Sequence, residues 1–119
     1  MSYVDGFLLA VPKKNLKAYA SMSKRAGKVW RKLGAVEYRE CALDDAKAKG
    51  CVAFPKGAKA KNDETVIFSW IVYESKAQRT KILKSVMKDP GILAMVQSEA
   101  CPYDPKRMMY GGFKIIVDM

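Results

Sequence analysis

Two segments of this sequence carry apolar residues at both their odd and their even positions. No other feature limits the fold as strongly. The first is "SYVDGFLLAVP", residues 2–12, and the second is "ETVIFSWIVYE", residues 64–74. Successive side chains of a β-strand point to opposite faces of the sheet. Each segment therefore predicts a strand that is covered on both faces, and such strands lie in the centre of a sheet.

Apolar residues that recur every three or four positions predict helices between and after these strands. Asn15 is the candidate N-cap of the first helix, which we expect to end before Gly34. Ser75 and Gln78 form a capping-box pattern at the start of the second helix. Asp89, followed by a proline, predicts the start of a short third helix.

Two further strands complete the pattern. "AVEYRECAL", residues 35–43, alternates as a half-exposed edge strand does, and residues 108–117 form the last strand. The resulting order, βαββαβ, predicts an α+β ferredoxin-like fold with a four-stranded antiparallel sheet, whose first and last strands are neighbours. At 119 residues the chain is expected to form one domain over residues 1–119.

The helices of this fold cover one face of the sheet, so the second face lacks cover within the chain. Leaving about four or five large apolar side chains in water forgoes roughly 1.5–3 kcal/mol for each. The sum is comparable with the ~5–15 kcal/mol stability of a typical domain. We therefore expect a homodimer in which the two sheets pack face to face into a barrel-like core.

Three glycines interrupt the apolar strands. Gly6 lies in the first strand, and Gly111 and Gly112 lie in the last. The missing side chains leave room for an aromatic residue of a partner or for a ligand. Alternatively, these glycines let the strands bulge and coil.

The composition excludes several chemistries. The chain has no histidine, which is the commonest general base and transition-metal ligand. Cys41, Cys51 and Cys101 have no C-x-x-C spacing, so they indicate free thiols. We expect no metal, no cofactor and no membrane span, and the N-terminus does not resemble a secretory signal, which predicts a cytoplasmic protein.

The chain is strongly basic, with 22 Lys and Arg against 12 Asp and Glu. Lys17, Lys24, Lys28 and Arg31 form a stripe along the first helix. A polyanion could bind this stripe electrostatically, and the alternative is a solvated face that confers solubility. Because no aromatic residue lies among the lysines, nucleic-acid binding is not favoured, although it stays open.

Polar groups within apolar strands are the best candidates for a pocket, because burying them is costly unless they find partners. The strands carry these candidates: Asp5, Tyr38, Ser69, Tyr73 and Tyr110. One hypothesis makes Asp5 a base with a raised pKa, the tyrosines hydrogen-bond donors and Trp70 an apolar wall. The alternative is a structural ion pair between Asp5 and a cation such as Arg107. No catalytic residue is identified.

A long connection without periodicity spans residues 44–63. It carries Lys56, Lys59 and Lys61, which we expect near the mouth of the cavity. Three lysines there would attract an anionic metabolite. The alternative is an ordinary mobile loop.

Several ordered motifs together resemble a bacterial family of small proteins called domain of unknown function 1428. The motifs are "YVDGFLLAVP", "KAKNDETVIFSWIVYESKAQR", "KDP" and "PYDPKRMMYGGF". The resemblance implies the dimeric α/β-barrel superfamily, which also contains monooxygenases, isomerases, haem-degrading enzymes and amino-acid-sensing domains. It implies no activity, substrate or catalytic residue. Haem degradation is disfavoured, because it relies on a histidine that this chain lacks.

Three hypotheses about function follow. The leading one is a homodimer that binds a small apolar or anionic molecule, with cofactor-independent catalysis left open. The second, from a different class, is a module that binds nucleic acid or another polyanion through the basic helices. The third is a purely structural or interaction protein.

Overall fold

The computed structural model describes residues 2–98 and 101–119, and its elements follow the predicted order. The strands are β1 (Tyr3–Pro12), β2 (Glu37–Ala42), β3 (Glu64–Tyr73) and β4 (Met109–Lys114). The helices are α1 (Leu16–Lys32), α2 (Phe54–Gly57), α3 (Lys76–Val86) and α4 (Pro90–Gln97). Short 3-10 turns lie at Lys13–Asn15 and Pro105–Arg107.

The four strands form one antiparallel sheet in the order β2-β3-β1-β4. The two segments that are apolar on both sides are the central strands β1 and β3, as predicted. The predicted edge strand, β2, lies at one edge, and β4 pairs with β1 at the other. The α+β ferredoxin-like fold with a four-stranded antiparallel sheet is confirmed.

Side-chain caps define the starts of α3 and α4. The hydroxyl of Ser75 accepts a hydrogen bond from the backbone N–H of Gln78 at 3.0 Å. The carboxylate of Asp89 accepts one from the backbone N–H of Ile92 at 3.1 Å. Both predicted caps are confirmed, and each satisfies a donor that the first turn of a helix leaves without a partner.

The start of α1 differs from the prediction. The Asn15 side chain makes no capping hydrogen bond, and its amide donates instead to the backbone carbonyl of Pro102 at 3.1 Å. The Asn15 side chain therefore bonds to a residue distant in sequence instead of capping its own helix. The end of α1 is as predicted, because Gly34 has a φ of +117°, which a residue with a side chain rarely adopts.

The helices α1 and α3 pack on one face of the sheet and enclose two groups of buried side chains. The first group contains Leu9, Val11, Tyr19 and Ile67. The second group contains Ala35, Ile71, Tyr73, Ile82, Val86 and Ile92. Phe7, in the middle of β1, packs against both groups.

The opposite face of the sheet, called here the outer face, is apolar and largely open. Phe68, Met109 and Phe113 are 48%, 47% and 59% exposed there. The predicted connection over residues 44–63 contains the short helix α2, whose Phe54 stacks on Phe68 with ring centroids 6.1 Å apart. The chain itself thus covers only part of this face.

Aromatic rings of the same chain fill the space above the glycines. A Cβ atom on Gly6 would lie 3.2 Å from the Phe113 ring, and one on Gly112 would lie 2.9 Å from the Tyr3 ring. The pairing between β1 and β4 runs without interruption, so no bulge forms there. The glycines therefore admit two of the chain's own rings, rather than a bulge or an open ligand floor.

The last strand is shorter than the predicted residues 108–117. It ends at Lys114, and Ile116 beyond it is exposed. The three cysteines are unbridged, as predicted, and they are exposed. No helix within residues 2–98 and 101–119 is long and apolar enough to cross a membrane.

Candidate ligand-binding site

A cavity of about 370 Å³ lies between the inner face of the sheet and helices α1 and α3. Most of its wall is apolar, formed by Phe7, Met22, Ala26, Trp30, Ile71 and Leu83. The volume lies in the range of small-molecule pockets, which typically combine apolar walls with a few placed polar groups. Five of the predicted pocket residues line it, namely Asp5, Tyr38, Ser69, Tyr73 and Tyr110.

Asp5 lies at one end of the cavity, in a dense hydrogen-bond network. Its side chain is 1% exposed. The guanidinium of Arg79 donates to both carboxylate oxygens at 3.0–3.1 Å. The hydroxyls of Tyr73 and Tyr110 donate to it at 3.1 Å and 3.0 Å, and the Trp30 indole N–H donates to Tyr73.

This geometry makes Asp5 a paired anion rather than a free base. The cation that pairs with Asp5 is Arg79. The prediction that Arg107 would be this partner was wrong. The hydrogen bond to Asp5 raises the pKa of Arg79, and burial together with the Asp5 charge raises the pKa of Tyr73. Both groups therefore keep their protons at neutral pH, and they hold Asp5 in place.

Glu40 lies on another part of the cavity wall, beside two phenols. The hydroxyl of Tyr19 donates to one carboxylate oxygen at 2.8 Å, and that of Tyr38 donates to the other at 3.3 Å. Burial, followed by the negative charge of Glu40, raises the pKa of both tyrosines. They remain neutral hydrogen-bond donors at physiological pH.

The hydroxyl of Ser69 points into the cavity from β3. The residue is only 4% exposed, and within residues 2–98 and 101–119 its hydroxyl makes no hydrogen bond. No side-chain polar atom of the described residues is both buried and without a hydrogen-bond partner, so the Ser69 oxygen is accessible from the cavity. Ser69 therefore offers a hydrogen bond to whatever occupies the cavity.

Trp70 does not line the cavity. The alternation of β3 puts it on the outer face, where its indole N–H donates to Glu37 at 2.8 Å and its ring packs against Phe68. This hydrogen bond lowers the pKa of Glu37. The proposed role of Trp70 as a cavity wall is wrong, because Ser69 and Ile71 are the inward neighbours on the strand.

Arg107 also lies outside the cavity. It pairs with Glu64 through two hydrogen bonds of 2.8 Å and 2.9 Å, and it donates to the backbone carbonyl of Lys59. Lys56, Lys59 and Lys61, expected at the cavity mouth, do not line it. They belong to the segment of α2, which packs on the outer face of the sheet.

The basic stripe is exposed, as predicted, along α1. Lys24, Lys28 and Arg31 border a shallow groove beside β2, but Arg31 already donates to the backbone carbonyls of Ala35 and Val36. Tyr38 is the only aromatic residue that borders this groove in the described part of the chain. Binding of nucleic acid by this stripe stays a prediction.

The sequence reasoning missed Arg79 and Glu40, although the sequence held a signal for both. Arg79 precedes Ile82, Leu83 and Val86 by three, four and seven positions, which puts it on the buried side of α3. Glu40 is two positions from Tyr38, so both point to the inner face of β2. In both cases the signal is an ionisable residue at a position whose side chain faces the core.

The comparisons with known proteins agree on family and fold. The model of a family described as "Protein of unknown function (DUF1428)" matches residues 2–105. The chain is 39% identical to the uncharacterized protein YbaA of Escherichia coli K12 over 118 residues, which is 99% of each chain. The YbaA protein of Shigella flexneri is similar to the same degree.

Solved structures at low sequence identity have the same fold. SnoaB, a cofactor-independent oxygenase from Streptomyces nogalater, is 12% identical with a TM-score of 0.61, covering 99% of this chain and 96% of its own. A dimeric ferredoxin-like protein from an uncultured marine organism is 9% identical with a TM-score of 0.63, covering 100% and 98%. A putative antibiotic biosynthesis monooxygenase from Nitrosomonas europaea is 12% identical with a TM-score of 0.57, covering 94% and 88%.

Proposed function

We propose that this protein, which belongs to the DUF1428 family of proteins of unknown function, binds a small and largely apolar molecule in the cavity between its sheet and α1. The observation that carries the proposal is a largely apolar cavity of about 370 Å³, onto which the Ser69 hydroxyl opens with no hydrogen-bond partner in the described part of the chain. A bound molecule with one polar group would satisfy this hydroxyl and cover the apolar wall.

The proposal is limited to binding. Relatives in fold include a protein described as a cofactor-independent oxygenase, but a shared fold at 12% identity does not carry a reaction. The engagement of Asp5 by Arg79 and two tyrosines also removes the one base that the sequence suggested. A cytoplasmic location stays a prediction.

A matched pair of substitutions on α1 tests the cavity. Ala26 lines the cavity, whereas Ala20 lies on the exposed side of the same helix. Leucine at position 26 would fill part of the space that a ligand needs. A thermal-shift screen against small molecules should find compounds that stabilise the natural protein. Ala26→Leu should weaken their binding about tenfold or more, and Ala20→Leu should leave it unchanged.

Two results would contradict this proposal. The first is a set of stabilising compounds whose affinity is the same for Ala26→Leu and Ala20→Leu, and the second is a screen in which no compound stabilises the protein. A parallel titration with RNA and DNA at increasing salt tests the other class of function. Tight binding that weakens steeply with salt would favour the basic stripe over the cavity.

We also propose that two copies associate through the outer faces of their sheets. Phe68, Met109 and Phe113 form an exposed apolar patch on that face, and large exposed patches mark interaction surfaces. Two such patches related by a two-fold axis would cover each other. A fold relative is described as a dimeric ferredoxin-like protein, which supports a dimer of this chain.

Sedimentation at micromolar concentration tests the association with two Met→Lys variants. Met109, on the outer face, is 47% exposed, and Met87, at the end of α3, is 55% exposed. Met109→Lys buries a charge in the proposed interface, so it should produce a monomer. Met87→Lys should remain a dimer. A monomeric natural protein, or equal behaviour of the two variants, would refute the interface.

A further inference from the structure

Glu40 differs from the other acidic residues of the sheet in what it pairs with. The strands contain four carboxylates, and three of them pair with arginine, in the pairs Asp5–Arg79, Glu37–Arg39 and Glu64–Arg107. No Lys or Arg nitrogen in the described part of the chain lies within 4.0 Å of the Glu40 carboxylate. Its negative charge is therefore left without a cation, in a chain that has an excess of ten cations.

Aromatic rings lie beside this carboxylate, which is otherwise exposed to solvent on the edge strand β2. Tyr19 and Tyr38 donate hydrogen bonds to it, and Tyr103 packs edge-on against Tyr19 with ring centroids 5.7 Å apart. The Trp30 ring lies 6.1 Å from that of Tyr38 and also lines the cavity. The carboxylate favours a positive charge, and Tyr and Trp rings attract organic cations, so the rings that line the same cavity suit a cationic ligand.

We propose that the cavity ligand is a protonated organic amine with an apolar body, and that its ammonium group binds to Glu40. This inference rests on the proposed function, since it names the class of molecule that the cavity takes. A carboxylate offers about four acceptor positions, and the two tyrosines use two of them. The remaining positions can accept N–H groups of the amine while its apolar part contacts Phe7, Ile71 and Trp30.

An anionic ligand fits this wall poorly. The lysines expected at the cavity mouth do not line the cavity. Arg39 borders it, but the alternation of β2 directs this side chain to the outer face, where it pairs with Glu37 at 3.3 Å. Arg79 is engaged by Asp5 and Tyr110. A carboxylate or phosphate in the cavity would therefore meet the charge of Glu40 without a free cation to offset it. The charge of Glu40 thus selects against the anionic molecule that the sequence suggested.

Three compounds of similar shape and different charge test the inference. Phenethylamine, phenethyl alcohol and phenylacetate share one ring and a short chain but are cationic, neutral and anionic. Their affinities are measured by calorimetry or ligand-observed NMR at physiological salt. Phenethylamine should bind the natural protein about tenfold or more tightly than the other two, because a hydrogen bond to a charged group is stronger than a neutral one.

Two variants on β2 isolate the role of Glu40. Glu40→Gln and Glu37→Gln each remove one negative charge from the same strand, but only Glu40 lines the cavity. Glu40→Gln should weaken phenethylamine binding about tenfold or more and leave the alcohol unchanged. Glu37→Gln should change neither affinity, which controls for the altered net charge.

The results separate this inference from the proposed function. If the alcohol or the acid binds as tightly as the amine, and Ala26→Leu abolishes that binding, the cavity binds ligands but the amine assignment is wrong. The same holds if amine binding is equal in Glu40→Gln and the natural protein. If none of the three compounds binds, but compounds from the screen bind in a manner sensitive to Ala26→Leu, the amine assignment is wrong and the cavity proposal stands. If the screen also yields no such compound, both are contradicted.

Discussion

The ion pair between Asp5 and Arg79 gives the sharpest stability prediction, because its two members are unequally buried. The side chain of Asp5 is 1% exposed and that of Arg79 is 18% exposed. When Asp5 is replaced by Asn, the arginine can reach water. When Arg79 is replaced by Met, the carboxylate stays buried with no cation. Arg79→Met should therefore destabilise the protein more than Asp5→Asn.

The magnitudes follow from the geometry. Removing one partner of a buried ion pair typically costs about 3–5 kcal/mol. Asp5→Asn should lie at the low end, about 3 kcal/mol, since the new amide oxygen can still accept hydrogen bonds from Tyr73 and Tyr110. Arg79→Met should lie at the high end, about 5 kcal/mol. For a chain of this size, a loss of about 3 kcal/mol corresponds to a decrease in Tm of about 10–15 °C.

A double-mutant cycle measures the coupling. Urea unfolding is followed at one protein concentration for four proteins: the natural protein, the two single variants and Asp5→Asn/Arg79→Met. The double variant should be more stable than Arg79→Met alone, since it buries no unpaired charge. Additive losses to within about 0.5 kcal/mol, or a larger loss for Asp5→Asn than for Arg79→Met, would refute the argument.

Two further predictions concern Glu64 and Gly27. Hydrogen bonds from Arg107 lower the pKa of Glu64 to about 2 from its usual 4.5, so its contribution to stability is complete above that usual value and is lost as the pH falls toward 2. Glu64→Gln should flatten this part of a plot of Tm against pH, and an unchanged slope would contradict the prediction. Gly27→Ala would bring a Cβ atom to 2.7 Å from the Tyr38 ring, so it should destabilise the protein by about 1–3 kcal/mol in urea unfolding despite the higher helix propensity of alanine. A stabilised Gly27→Ala variant would show that Tyr38 moves freely.

Local patterns predicted most of the architecture. The alternation of residues 2–12 and 64–74 identified the central strands, and the caps at Ser75 and Asp89 identified the starts of two helices. These features depend on interactions between residues close in sequence, or on whether one face of an element is apolar. Such information is present in a short stretch of chain.

Long-range partners were not predictable in the same way. Asn15 fits a helix cap by residue type, but Pro102 lies close enough in the fold to accept its hydrogen bond instead. Arg107 is a plausible partner for Asp5 by charge, yet it pairs with Glu64, and Arg79 reaches Asp5. The chain has many cations, and its sequence does not indicate which of them approaches a given carboxylate.

The sequence by itself determined the order of the elements, the central position of β1 and β3, and the presence of an apolar outer face. Only the tertiary structure decided that Arg79 pairs with Asp5, that Trp70 lies outside the cavity, and that Glu40 lies on the cavity wall with no Lys or Arg of the described residues as its partner. The reason is physical. Secondary structure follows from periodic local patterns, whereas the charge inside a cavity depends on distances of a few ångströms between residues far apart in the chain.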